Sequence, residues 1–211
     1  MTVLALASTI TAAGVALTIL FFAHGRTGDD RGGARAEMVT YFGLAALAAL
    51  LCGAMNFLET AGGGTAAAAG GNATNVMAVG MVWAGARRLN RRRAVGAIGI
   101  VAGGIFLLGL TFLVPLEEAT VLKTVGLVAF ASLGAVESAR RPLGDLRGSR
   151  LLVWTLGLYA GYNAARIGVV VVSGTAPLVE PGVVSPAATA IVSAVAIALV
   201  SASAVRIGRQ L

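Results

Sequence analysis

LLVWTLGLYAGYNAARIGVVVVS, residues 151–173, is the stretch that decides how the chain folds. It is long enough to cross a bilayer, because about 20 apolar residues at 1.5 Å rise span roughly 30 Å of hydrocarbon. Yet Arg166 stands well inside it. Tyr159, Tyr162, Asn163 and Arg166 fall at i, i+3, i+4 and i+7, so a helix places them on one face. An arginine facing lipid at membrane depth costs at least about 2.5 kcal/mol. The polar face is therefore expected to point into a helix bundle, and other parts of the chain must supply its partners.

The composition agrees with a membrane setting. The chain has 211 residues, of which 57% are hydrophobic and 12% charged, with a mean hydropathy of +0.88. Soluble domains carry about 25% charged residues. One cysteine, Cys52, excludes a disulfide within the chain, and one histidine, His24, excludes a histidine-rich metal site. A net charge of +7 would suggest nucleic acid in a soluble protein. Here the arginines alternate with apolar runs, which marks them as topology signals rather than a nucleic-acid surface.

Seven apolar runs, approximately 3–23, 38–58, 67–86, 95–114, 120–138, 151–173 and 187–205, predict an all-α integral membrane bundle of seven transmembrane helices in a single domain. The first run lacks a basic leader and is longer than the apolar core of a signal peptide, so it reads as a retained helix. The AGGGTAAAAGG stretch before the third run is either a loose loop or, in its alanine half, the start of that helix. The first, third and fifth loops carry three, five and four arginines, and two more lie at the C-terminal end. The other loops carry none, and Lys123 sits just inside the fifth run. The positive-inside rule then puts the N-terminus outside and the C-terminus in the cytoplasm. Gly99 and Gly103, and likewise Gly157 and Gly161, are four apart, a spacing that lets helix backbones approach within the chain or between copies of it.

With this topology the polar groups inside the spans collect in the outer half. Asn56 and Glu59 end the second run on one face with Cys52, and Asn72 and Asn75 lie in the outer half of the third. Arg166 is about 24 Å along its helix from Arg150 at the inner edge. The candidate ligand-binding residues are Arg166, Asn163, Tyr162, Tyr159, Asn75, Asn56 and Glu59. An Arg166–Glu59 ion pair is the simplest way to tolerate the charge, and a pair that only fixes helix register is the competing reading. The Asn72-Ala73-Thr74 triplet matches a glycosylation acceptor, a short motif that arises readily by chance. No hydrolase, zinc-protease or nucleotide-binding motif is present, so no catalytic residue, metal or cofactor is expected. A retinal protein needs a lysine in the last span, and this one has none.

Two further stretches carry a resemblance. VMAVGMVWAGARRLNRR (76–92) and ESARRPLGDLRGSRLLVWTLGLYAGYNAAR (137–166) resemble the membrane regions that precede bacterial GGDEF diguanylate cyclase domains. The resemblance covers about 50 residues by motif, and Leu89 stands where those regions have an aromatic. It implies a seven-helix sensory module, with Arg166 and Asn75 at its polar positions and Arg87 and Arg88 as its basic pair. The sequence contains no GGDEF motif, so the resemblance implies not a cyclase but a stand-alone relative, a truncated product, or a module that works with a separate partner. The expected protein is a non-enzymatic, sensor-like protein of the bacterial inner membrane. Its expected partners are membrane lipids, a small ligand from the outer face, a cytoplasmic signalling partner and a second copy of itself. The alternatives are a small transporter or permease subunit and a membrane scaffold.

Overall fold

The computed structural model describes residue 14 and residues 32–93, 96–174 and 185–211. Every regular element among them is helical. The helices are α1 (Gly32–Leu58), α2 (Gly64–Leu89), α3 (Gly96–Thr111), α4 (Leu116–Ser138), α5 (Ser149–Ser173) and α6 (Pro186–Gly208). A π turn, Glu59–Gly63, joins α1 to α2, and a single 3-10 turn, Leu143–Asp145, lies between α4 and α5. The expected spans from 38–58 onward coincide with α1 to α6 apart from their ends. The expected span 3–23 lies outside the described residues.

Four helical stretches are long and apolar enough to cross a membrane: Gly33–Leu89, Leu116–Ser138, Ser149–Ser173 and Ala188–Gly208. The first is a hairpin rather than one rod. Gly62 and Gly64 have φ of 101° and 57°, in the left-handed region where only glycine is free of strain, and the chain reverses there. The alanine half of AGGGTAAAAGG thus opens α2, with Ala67, Ala68 and Ala69 buried. α3 has only 16 residues, fewer than a full span needs. Its expected continuation to residue 114 fails because Pro115 disfavours helical backbone in the residue before it.

α2 is the helix most enclosed by the others. Its small residues let α1, α3 and α4 all pack against it. α5 lies between α4 and α6, and α6 returns to α1. The described bundle is therefore a ring of α1, α2, α4, α5 and α6, with α3 outside on α2 and α4. Its exterior is apolar: Ile98, Leu113 and Val172 are each more than 80% exposed. Such a surface suits hydrocarbon, not water. The glycine pairs make no close contact within the described bundle, which leaves contact between copies as the other reading of their spacing. A Cβ on Gly99, Gly103, Gly157 or Gly161 would meet nothing within 4 Å, so these positions make no close helix contact among the described residues. The close approaches occur instead at interior positions such as Gly148.

All described arginine-bearing helix ends meet at one end of the ring. There Arg88 pairs with Glu37, linking the end of α2 to the start of α1. Glu137, at the end of α4, is only 2% exposed. It accepts from Arg140 Nη1 at 3.0 Å and from Asn90 Nδ2 at 3.1 Å, and Arg92 Nε stands 3.6 Å away. The same Asn90 amide donates to the Glu137 carbonyl at 2.7 Å, and its Oδ1 accepts from the Leu143 backbone N–H at 2.9 Å. Arg147 N–H donates to Gln210 Oε1 at 3.0 Å, joining the start of α5 to the end of α6. Beneath this layer lies the main apolar core, with Met38, Phe42, Ile100, Leu152, Leu156 and Ile207.

Two outcomes follow for unfolding by SDS in mixed micelles. A Cβ on Gly148 would stand 2.8 Å from the Ser203 carbonyl oxygen and 3.0 Å from Ile207 N, both backbone atoms. Gly148→Ala is expected to cost about 1–3 kcal/mol, whereas Gly99→Ala in open space stays within about 0.5 kcal/mol. Asn90→Leu removes the partner of a backbone N–H and of a buried carboxylate, and is expected to cost about 1–3 kcal/mol.

Candidate functional site

Away from the arginine-rich end the interior changes character. A second apolar cluster, with Val76, Leu107, Leu127 and Tyr159, marks the middle of the ring. Towards the arginine-poor end the buried side chains become polar: Asn72, Thr124, Asn163 and Arg166. Each lies on its helix within about 10–15 Å of that end. Lys123 is half-buried beside Thr124, within electrostatic reach of Cys52, Arg166 and Glu59.

α5 supplies the centre of this layer. Its helical spacing brings Tyr159, Tyr162, Asn163 and Arg166 to one face, as the sequence predicts, and that face meets α6. The Tyr159 hydroxyl lies 3.3 Å from Ser193 Oγ, and the Tyr162 hydroxyl lies 3.2 Å from Thr189 Oγ1. One turn of α5 is thus matched to one turn of α6. Ser185, which accepts from the Ala188 N–H at 3.3 Å, caps the start of α6, and Pro186 fits its first turn. The Tyr162 ring lies under the Arg166 guanidinium, with Cζ 6.0 Å from the ring centroid, at the outer limit of a cation–π contact.

Arg166 is 4% exposed and Asn163 is fully buried. Asn163 Nδ2 donates to the Tyr159 carbonyl at 2.9 Å, which directs Oδ1 the other way. Asn163 Oδ1, Arg166 Nε, Arg166 Nη1 and Asn72 Nδ2 are buried without a hydrogen-bond partner among the described residues. No carboxylate of a described residue lies within 4 Å of Arg166.

The expected Arg166–Glu59 pair therefore does not form. Glu59 sits exposed on the π turn, and α5 packs on α4 and α6 rather than on α1. Asn56 is exposed and rests against Gly71, with Nδ2 3.7 Å from Cys52 Sγ. Asn75 is half-buried on α2, next to Val76 of the middle cluster. The α5 residues are brought together, while Asn56 and Glu59 stand at the rim. Asn72 is buried, so the glycosylation triplet presents no accessible amide.

Ser193 and Thr189 were not legible as partners, because serines and threonines recur along the last span without a distinguishing pattern. Glu137 and Asn90 were also missed. Their signal was a lone carboxylate beside Arg140 and Arg141, in a chain where acids are few. At that end a cleft of about 570 Å³ opens between Glu37, Arg88, Arg91, Leu143, Leu146 and Leu211. No group of three metal-ligating side chains gathers among the described residues.

The α5–α6 hydroxyl contacts are testable by a double-mutant cycle. Tyr159→Phe with Ser193→Ala should give a coupling of about 0.6 kcal/mol in SDS unfolding, the usual size for such a bond between apolar helices. A coupling indistinguishable from zero would remove that bond from the account of the site. Neither a protein-family profile, nor a curated protein, nor a solved structure matches this chain.

Proposed function

We propose that this chain is a sensor-like protein of the bacterial inner membrane that binds a ligand or signalling partner in the polar layer around Arg166. The observation that carries the reading is a guanidinium 4% exposed, with Nε and Nη1 unpartnered and no carboxylate in reach among the described residues. A group of this kind is retained at a cost, which a bound partner offsets. The resemblance of residues 76–92 and 137–166 to sensory membrane regions supports signalling as the purpose of binding.

The proposed topology has seven spans, counting 3–23 with α1 to α6, with the N-terminus outside. Its support is the gathering of the described arginine-bearing ends on one side, which the positive-inside rule assigns to the cytoplasm. The pocket then opens toward the outer face, and an output partner meets the arginine-rich end. Transport is less well supported. Between the arginine-rich end and the Arg166 layer lies the apolar core of Met38, Phe42, Leu152, Leu156 and Ile207, so no continuous polar path joins the two polar ends among the described residues. Binding rather than passage or catalysis fits this arrangement.

The test is native mass spectrometry of the protein released gently from its own membranes, beside Arg166→Gln. The expected result is an adduct in the wild type that is absent from a folded variant. An identical spectrum in both would assign Arg166 to architecture alone.

A further inference from the structure

We infer that the Arg166 layer takes an oxyanion, a carboxylate or a phosphate, that also carries an O–H or N–H donor. This inference rests on the reading of the layer as a ligand pocket and names the chemistry of what fills it.

Charge argues for the anion. A neutral polar ligand could satisfy the hydrogen bonds of Arg166 but not its charge. The Tyr162 ring offers only the weak field of an aromatic face, 6.0 Å from Cζ. The described acids at this end, Glu59, Glu117 and Glu118, are exposed, and none makes an ion pair with Arg166. In a medium of low dielectric, a buried guanidinium favours an oxyanion strongly over a neutral group.

Asn163 argues for the donor. Its amide orientation is fixed by the bond from Nδ2 to the Tyr159 carbonyl. The remaining Oδ1 is buried and unpartnered among the described residues, one helical turn from Arg166. An acceptor so placed repels a bare oxyanion and attracts a ligand hydrogen. Together, unpartnered donors on Arg166 and an unpartnered acceptor on Asn163 specify a ligand with both functions. Phosphate retaining a proton, a hydroxy acid, and a lipid headgroup with a phosphodiester and free hydroxyls all share that chemistry.

The experiment uses the full chain in maltoside micelles, which carry no phosphate, and reads melting temperature at constant ionic strength and neutral pH. Two anion pairs differ in the donor: phosphate against sulfate, and glycolate against acetate. The donor-bearing member of at least one pair should stabilise the wild type saturably, with apparent affinity about tenfold tighter than its counterpart. Arg166→Gln should lose the response to both members. Asn163→Leu keeps the cation and should bind both members alike, so the inference stays testable even where Arg166→Gln does not fold. A lipid source shows itself differently: doping the micelles with phosphatidylglycerol would stabilise the wild type but not Arg166→Gln, and free anions would add nothing further. No response to any of these probes, or an equal response in Arg166→Gln, overturns the inference. If a mass-spectrometric adduct persists while every probe fails, the pocket stands and the oxyanion class falls. If both are absent, the pocket itself is removed.

Discussion

The charge of Arg166 has to be met from within the bundle, because the outer surface around it is hydrocarbon-like. Most of the arrangement of α5 and α6 can be understood from that constraint. The helix turns its tyrosines toward α6, buries Asn163 and Arg166 inside the bundle, and leaves Gly157, Gly161 and Gly168 outward. α6 answers with hydroxyls at Ser193 and Thr189 rather than with a carboxylate. Hydroxyls satisfy tyrosines but carry no charge to set against a guanidinium. Among the described residues the result is a polar layer ordered by its own bonds, with no carboxylate beside Arg166.

The opposite end of the ring solves its electrostatics differently. Its arginines outnumber its carboxylates, but the few acids are placed where several cations converge. Glu137 is shared by Arg140 and Arg92, and Glu37 is taken by Arg88. Asn90 ties the same point to the backbone of the α4–α5 connection. Exposed ion pairs contribute little, but a buried carboxylate with several donors is costly to disturb. This end is a structural clasp on five helix termini, and its surplus positive charge faces outward.

Helix positions were readable because apolar runs of membrane length are long, regular signals. The polar face of α5 was readable because its four residues follow one helical repeat. What those residues meet was not readable. Asn56 and Glu59 lie on a face that looked suitable, yet the ring order puts α6, not α1, beside α5. The choice of neighbour depends on packing of small side chains, as in α2, and not on any one polar residue. The glycine pairs illustrate the same gap: their spacing suits close contact, but Gly99, Gly103, Gly157 and Gly161 meet no other described residue of the same chain within 4 Å. Gly148, at the start of α5 and not within a span, is where two backbones nearly touch.

The short α3 has a mechanical consequence for whatever surrounds the bundle. Its 16 residues rise only about 24 Å, against roughly 35 Å or more for its neighbours α2 and α4. Among the described residues it stands on the outside of the ring, so a bilayer on that flank would meet a shorter apolar helix than one beside α2 or α4. Hydrophobic mismatch of this kind is relieved by local thinning of the bilayer or by tilt. Among the described helices, α3 is the one whose length would call for such an adjustment.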